Sequence, residues 1–167
     1  MIVNWLSADD VPKSIAVCRE AAGKAGRDPA ALEITARLLI NVDPPSPQSE
    51  LAVRRHLTAY LNVPVYRAFQ EWLGRGEALG PMWNAWQSGD RKAAVTAVPE
   101  KVMNDLIIRG TMDTIRAHVQ RYLDAGVDTA FLALSTLEQD PARRRAIQLD
   151  ALRALAPATR PAPTRPR

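Results

Sequence analysis

Two short apolar segments, set apart by helical patterns, constrain the fold of this chain most. Residues 34–42 (ITARLLINV) and 129–135 (TAFLALS) are dominated by Leu, Ile, Val, Ala and Phe. Apolar runs of this kind are typical of strands that are covered on both faces, as in a parallel sheet. Ile2-Val3 is a third and shorter candidate strand. Strands that alternate with helices, without hairpin turns, predict an α/β fold with a parallel sheet, either doubly wound or closed as a barrel.

The segments between these strands have the periodicity of amphipathic helices. We predict helices after Ser7, after Pro99, after Gly110-Thr111 and after Asp140-Pro141. Serine, threonine and aspartate are preferred at helix N-termini because their side chains accept hydrogen bonds from the first free N–H groups. The positions of the last helix that we expect to face inward are Ile147, Ala151, Leu152 and Leu155.

Residues 48–99 interrupt the alternation of strands and helices. Four helical patterns, over about 51–62, 65–73, 77–86 and 90–98, follow one another here without a strand. A connection of this length predicts an inserted helical subdomain within a domain of residues 1–156. Six of the nine aromatic residues lie in it, namely Tyr60, Tyr66, Phe69, Trp72, Trp83 and Trp86. They fit three interpretations: an apolar core, a wall over a flat conjugated ligand, or a subunit interface.

The positive charge of the chain is concentrated at its end. The net charge is +4, but residues 157–167 hold three arginines, four prolines and no acid. The rest of the chain therefore carries a net charge of only +1, which argues against a nucleic-acid partner. Because residues 157–167 are rich in proline and poor in apolar side chains, we predict that they form a disordered tail.

The residues also exclude several kinds of site. No apolar run approaches the roughly 18 residues of a membrane-spanning helix, so no membrane partner is expected. The single cysteine, Cys18, and the distant His56 and His118 offer no ligand set for a metal ion. No serine elbow or phosphate-binding loop is present, and the glycine-rich residues 74–80 follow a helix, so we interpret them as a turn. Catalytic residues stay unknown at this level, and the absence of a secretory pattern leads us to expect a cytoplasmic protein.

Six short segments of the chain carry a family resemblance. They are residues 25–35 (AGRDPAALEIT), 60–66 (YLNVPVY), 71–74 (EWLG), 97–100 (AVPE), 110–111 (GT) and 125–129 (AGVDT). In this order and spacing, over about residues 1–138, the chain resembles the C-terminal part of the luciferase-like monooxygenases, especially the subgroup that uses the deazaflavin coenzyme F-420. The resemblance implies the C-terminal part of a (β/α)₈ TIM barrel, with about three parallel strands and a helical insertion.

Under this resemblance the three candidate strands correspond to the sixth, seventh and eighth strands of the barrel. The insertion at residues 48–99 then falls after the seventh strand, as it does in the family, and the first five strands are absent. Three origins stay open: a truncated product, a half-barrel that needs a partner, or a start assigned too far downstream. The expected partners are a small-molecule substrate and either further copies of the chain, as a homo-oligomer, or the missing N-terminal half.

The candidate site residues follow from the same comparison. Barrel enzymes work at the carboxyl ends of their strands, which here are followed by Asn41, Asp43, Ser135 and Thr136. The resemblance implies that Asn4, Trp5 and Ser7 contact the phosphate-bearing side chain of the cofactor, coenzyme F-420 or alternatively flavin mononucleotide (FMN). Within the insertion, Tyr66, Trp72 and Trp83 are the candidates for the wall of the substrate pocket.

The function that the resemblance implies is a flavin- or deazaflavin-dependent oxidoreductase, either a monooxygenase or a hydride-transfer enzyme. Most groups that hold the reactive ring would come from the missing strands, so this chain alone is not expected to contain a complete active site. The alternative is a non-catalytic α/β module that dimerises through its open sheet edge, because an unpaired edge is a template for pairing with another chain.

Overall fold

A computed structural model of the protein describes residues 1–156, and three parallel strands form its centre. They are β1 (Ile2–Val3), β2 (Thr35–Asn41) and β3 (Thr129–Ser135), in the order β1-β2-β3. β2 pairs with β3 along its whole length, whereas β1 pairs with only the first two residues of β2. All three strands run in the same direction, and the carboxyl ends of β2 and β3 lie together at one edge of the sheet, whereas β1 ends beside Ala36, near the start of β2. The predicted parallel sheet is confirmed.

Eight helices connect and cover these strands in the part of the chain that the structure describes. They are α1 (Val11–Lys24), α2 (Pro47–Leu61), α3 (Pro64–Trp72), α4 (Gly76–Gln87), α5 (Arg91–Thr96), α6 (Glu100–Leu106), α7 (Met112–Asp124) and α8 (Pro141–Leu155). The four helices predicted within residues 48–99 are confirmed as α2 to α5. Among the described residues no helix is long and apolar enough to cross a membrane. The predicted disordered tail, residues 157–167, lies outside the described residues.

Local chemistry sets the starts of α7 and α8 as predicted, whereas Ser7 precedes a short 3₁₀ helix, Ala8–Asp10, and α1 begins only at Val11. The Thr111 hydroxyl accepts a hydrogen bond from the Thr114 backbone N–H at 3.2 Å, and the Asp140 carboxylate accepts one from the Arg143 N–H at 2.8 Å. Gly126 ends α7 with a φ of 106°, where a side chain would be strained. Beyond it, the Asp128 carboxylate accepts a hydrogen bond from the Ile34 N–H at 2.8 Å, which fixes the chain at the start of β2.

One face of the sheet is covered by helices along its length. Ala36, Leu38 and Ile40 of β2 are buried in one apolar cluster with Ile15 of α1 and Ile115 of α7. Full burial of a large apolar side chain contributes about 1.5–3 kcal/mol, so this layer is the main source of stability for the strands. Successive strand residues point to opposite faces, and the residues between these three must therefore face the other way.

The opposite, inner face of the sheet is covered only at its carboxyl end. The helices of the insertion form a second apolar cluster, which includes Leu39 of β2 and Trp5 from the loop after β1. Further along the same face Phe131 is 59% exposed and Ile2 is 75% exposed. The expectation that β3 is covered on both faces is therefore wrong. The helices outside the insertion cover one face of the sheet. On the other face, the insertion reaches only the carboxyl ends of the strands.

The last helix is also less buried than its periodicity predicts. Ala151 is buried, but Ile147 and Leu152 remain 37% and 43% exposed. The prediction that both face the interior is wrong because α8 packs against α7 and reaches β3 through Gln148, which donates to the Leu134 carbonyl, so that only a narrow stripe of the helix is covered.

Candidate functional site

A cleft of about 320 Å³ opens at the carboxyl ends of β2 and β3, beneath α2. Its wall is formed by residues of three elements: Arg37, Leu39 and Asn41 of β2, Ala133 and Ser135 of β3, and Val53 and His56 of α2. Thr136, in the loop after β3, completes the rim. Parallel α/β barrels keep their sites at this edge of the sheet. Of the polar residues predicted at the strand ends, Asn41, Ser135 and Thr136 line the cleft.

Hydrogen bonds to the Asp43 side chain link the carboxyl ends of β2 and β3 at the edge of this cleft. The Asp43 carboxylate accepts hydrogen bonds from the Thr136 hydroxyl at 2.5 Å, from the Leu137 N–H at 2.8 Å and from the Asn41 amide at 2.9 Å. The Ser135 hydroxyl donates to the carbonyl oxygen of Ile40 at 3.1 Å. The structure thus brings the predicted polar residues together, and their hydrogen bonds to one another make the rim rigid.

Trp5 has an unusual backbone conformation and a buried ring. Its φ of 55° lies in the left-handed region, which is sparsely populated by residues other than glycine. The indole is only 3% exposed and packs against the rings of Tyr60, His56 and Tyr66, at centroid distances of 4.9, 5.6 and 5.8 Å. Such strain persists where the surroundings fix the conformation, and it is common at functional sites. The insertion covers this ring, and its contact with a cofactor stays a prediction.

Polar groups of the insertion hold the loop that contains Trp5. Gln70 of α3 is fully buried, and its side-chain amide donates to the Trp5 carbonyl oxygen at 2.6 Å. The Arg75 guanidinium donates to the Asp10 carboxylate at 2.5 Å and to the Ser7 hydroxyl at 3.2 Å. Ser7 also donates to Asp10, at 2.7 Å. The predicted cofactor residue Ser7 therefore belongs to a network that joins the loop to the insertion.

Asn4 is placed differently from Trp5 and Ser7. It follows β1, whose last residue pairs with Ala36 near the start of β2, and it is half-buried without lining the cleft. Within residues 1–156 its side-chain amide makes no hydrogen bond to another protein group. The contact of Asn4 with a cofactor stays a prediction.

His56 and Arg37 give the cleft its electrostatic character. Arg37 is exposed on the inner face of β2, and His56 faces it from α2. Partial burial of the imidazole, followed by the nearby Arg37 guanidinium, lowers the pKa of His56 below its ordinary value of 6.5. His56 is therefore neutral at pH 7, and the fixed positive charge in the cleft is that of Arg37.

The three residues predicted for the substrate pocket lie in different surroundings. Tyr66 is partly buried beside Trp5. Trp83 is 2% exposed in the core of the insertion, and its indole N–H donates to the Leu61 carbonyl at 2.9 Å. Trp72 is 41% exposed on α3, stacked on Phe69. None of the three lines the cleft, and their contact with a substrate stays a prediction.

Four residues of this region were not assigned to the candidate site from the sequence: Arg37, His56, Gln70 and Arg75. Gln70 could have been identified from the sequence, because it is a polar residue within the apolar stripe of a predicted helix. Arg37 was visible as the charged position in an otherwise apolar strand. The partners of Arg75 and His56 lie far away in the sequence, so periodicity carries no information about them.

Comparison with known proteins settles the family of this chain. The model of the luciferase-like monooxygenase family matches residues 1–129. The chain belongs to this family. No curated protein sequence matches it.

Two solved structures share the fold of this luciferase-like chain. The coenzyme F-420-dependent tetrahydromethanopterin reductase from Methanopyrus kandleri has a TM-score of 0.62 and 22% identity, over 90% of this chain and 42% of the reductase. An F-420-dependent secondary alcohol dehydrogenase, solved with an F-420–acetone adduct, has a TM-score of 0.55 and 17% identity, over 93% of this chain and 42% of the dehydrogenase. The chain therefore spans less than half the length of either structure. Its fold is the C-terminal part of a TIM barrel, as the sequence predicts.

The described residues fit one side of a flavin-type ring system. The cleft has an apolar floor of Leu39 and Ala133, with the Arg37 guanidinium and the Thr136 hydroxyl at its rim. Sites for flat cofactors combine apolar walls with a few polar groups that fix orientation. The remainder of the inner face, where Phe131 is exposed, is not enclosed by residues 1–156. The fit is therefore to one wall of a site.

Proposed function

We propose that this chain forms the C-terminal part of the cofactor site of an F-420-dependent oxidoreductase, with FMN as the alternative cofactor. The observation that carries the proposal is the position of the cleft, at the carboxyl ends of the strands in a luciferase-like chain. The F-420 dependence of both similar structures supports the choice of deazaflavin. When bound, the deazaflavin supplies a hydride acceptor or donor, and the protein orients and shields it.

The residues of this chain have distinct parts in the proposed function. The Arg37 guanidinium attracts the anionic portion of the cofactor, and the Asn4 amide donates to its phosphate. Asp43 holds the strand ends at a fixed separation through its bonds to Thr136 and Asn41. The insertion covers the mouth of the cleft, which keeps water from the reacting atoms of a small-molecule substrate. Tyr66 is the candidate substrate contact that lies nearest to this region, beside Trp5.

The test is a fluorescence titration of the full chain with coenzyme F-420 and, separately, with FMN. We expect saturable binding of F-420 that is at least about tenfold weaker in Asn4→Ala and in Arg37→Gln, since each removes a charged or polar contact worth about 1.5 kcal/mol or more. Asn84→Ala is the matched control, because Asn84 is exposed on α4 and does not line the cleft. It should bind as the unchanged chain does.

The outcomes separate the alternatives. Tighter binding of FMN than of F-420 would select the flavin. Absence of binding to either compound, by a sample whose circular dichroism shows that it is folded, would overturn the proposed cofactor site of this chain.

A second candidate function rests on the open inner face of the sheet. Ile2 and Phe131 are large apolar side chains, 75% and 59% exposed, on the same face and beside unpaired strand edges. We propose as the alternative a non-catalytic module that dimerises through its open sheet edge, with this exposed apolar face beside it meeting the second copy. In the first candidate function the same surface receives the other strands of the barrel. A chain that stays monomeric at all concentrations would contradict this alternative.

A further inference from the structure

A second groove lies within the insertion, on a different side of α2 from the cleft. It has a volume of about 700 Å³ and lies between α2, α4 and α5. The α2 residues in the groove are Leu51, Arg55, Thr58 and Ala59, whereas those in the cleft are Ala52, Val53 and His56. The two cavities share no residue, so this groove is separate from the proposed cofactor site.

The charged residues that line this groove are all basic. Arg55, Arg91 and Lys92 line it, and no acidic residue does. In the part of the chain that the structure describes, none of these three cations takes part in an ion pair. The hydroxyls of Thr58 and Thr96 donate to backbone carbonyls of their own helices, at 2.8 and 3.1 Å. The polar groups that remain for a ligand are therefore cationic.

The floor of the groove is apolar. Leu51, which is 41% exposed, Val95 and the indole of Trp86 form it. The guanidinium carbon of Arg91 lies 3.7 Å from the centroid of the Trp86 ring, and an Arg91 N–H donates to the Trp86 carbonyl at 2.6 Å. These contacts hold one positive charge directly beside the apolar surface.

We propose that this groove binds small amphipathic carboxylates, with the carboxylate among Arg55, Arg91 and Lys92 and the aliphatic chain on Leu51, Val95 and Trp86. Three positive charges that line one groove and take part in no ion pair favour an anion placed among them. An apolar floor without polar acceptors favours a hydrocarbon body over a sugar or a nucleotide. The volume of the groove falls within the range of small-molecule sites.

The first experiment titrates the full chain with decanoate and follows tryptophan fluorescence, with isothermal calorimetry as a second readout. Decanol has the same hydrocarbon tail without the charge, and acetate has the charge without the tail. We expect saturable binding of decanoate, binding of decanol at least tenfold weaker, and no detectable binding of acetate. The affinity for decanoate should fall as salt is added, because the site is partly exposed and its charges are screened.

Substitutions of the groove residues test whether decanoate binds in this groove. The double variant Arg55→Gln, Lys92→Gln should weaken decanoate binding by tenfold or more while leaving decanol binding unchanged. The matched control is Arg144→Gln, Arg145→Gln, which removes the same charge from exposed positions of α8 and should bind decanoate normally. Trp86→Phe keeps an aromatic floor but should abolish the fluorescence change, with binding still seen by calorimetry.

Three results would overturn the proposal. They are equal affinity for decanoate in the groove variant and in the α8 control, equal affinity for decanol and decanoate, and absence of saturable binding to a folded chain. Association with anionic lipid vesicles but not with monomeric decanoate would likewise reject a small-molecule site in favour of a membrane surface. None of these measurements uses F-420 or FMN, so their outcome is independent of the cofactor proposal.

Discussion

At the scale of single residues, a buried tyrosine anchors the loop that follows β1. The Tyr122 hydroxyl of α7 donates to the carbonyl oxygen of Leu6 at 2.8 Å, and the residue is 2% exposed. Burial, with the negative charge of Asp10 next in effect, raises the pKa of Tyr122 well above its usual range. The phenol therefore stays protonated, and remains a donor, at neutral and moderately alkaline pH. This bond connects the helix layer to the loop that carries Trp5.

We expect Tyr122→Phe to lower the free energy of unfolding by about 1–2 kcal/mol, because the substitution leaves the buried Leu6 carbonyl without this donor. Urea denaturation followed by circular dichroism measures the change. Tyr60→Phe is the control, since Tyr60 is 41% exposed and its hydroxyl makes no hydrogen bond within residues 1–156. Equal effects of the two substitutions would contradict the anchoring role.

The histidines make a second prediction at this scale. Partial burial, the larger cause, and the charge of a neighbouring arginine lower the pKa values of both His56 and His118 below 6.5. In an NMR titration both should therefore protonate below pH 6.5. Arg37→Gln should raise the pKa of His56 and leave that of His118 unchanged, because the arginine beside His118 is Arg121. A His56 titration unaffected by the substitution would show that Arg37 does not act on it.

The sign of the stability change follows from the same pKa values. Below pH 6.5 the unfolded chain binds protons at histidines that remain neutral in the folded chain, so the free energy of unfolding decreases as the pH falls through this window. His56→Gln removes one of these groups. The variant should lose less stability than the unchanged chain between pH 7.5 and pH 5.5, roughly the window in which an ordinary histidine titrates.

At the scale of secondary-structure elements, a nearly buried ion pair joins the insertion to the loop after β1. Arg75, just before α4, and Asp10, just before α1, have side chains that are 11% and 14% exposed. By contrast, the Arg153–Asp150 pair of α8 is about three-quarters exposed on both sides. Removal of one partner from a buried pair leaves an uncompensated charge, whereas exposed pairs contribute little.

We therefore expect Arg75→Gln to lower the free energy of unfolding by about 3 kcal/mol, since Asp10 is left largely buried without its cation. Arg153→Gln should cost less than about 1 kcal/mol. Urea denaturation of both variants measures the difference. A cost for Arg75→Gln as small as that for Arg153→Gln would mean that packing alone holds the insertion to the loop.

At the scale of the whole molecule, the two apolar clusters leave one surface of the sheet uncovered. The helix layer buries one face, and the insertion covers the other only at the carboxyl ends of the strands. In a closed barrel the exposed inner residues of β3 pack against side chains of the other strands. Phe131 is therefore the residue at which completion of the barrel, or pairing with another copy, has the largest effect.

Analytical ultracentrifugation tests this surface. If the chain pairs with itself through its inner face, it should sediment as a dimer or larger species, and Phe131→Asp should shift it to a monomer. Val17→Asp is the control, because Val17 is 52% exposed on α1, on the helix-covered side. A chain that is monomeric at all concentrations would contradict self-pairing, and so would a Phe131→Asp variant that still dimerises.

Much of the fold was predictable because its information is local. The strands at residues 34–42 and 129–135, the four helices of the insertion and the caps at Thr111 and Asp140 are set by apolar periodicity and by turn chemistry within a few residues. The candidate site was predictable only in outline. The carboxyl ends of parallel strands meet at one edge, which places Asn41, Ser135 and Thr136 together.

The amino-acid sequence by itself determined the order of strands and helices, their parallel arrangement and the family. Only the tertiary structure decided which of the candidate side chains are held by contacts within the protein. Ser7 is held by Asp10 and Arg75, and Trp5 is buried beneath the insertion, through contacts between residues far apart in the chain. It also decided that β3 and α8 remain partly exposed. Periodicity records which face of an element is apolar, but burial depends on how many neighbouring elements are present to cover that face.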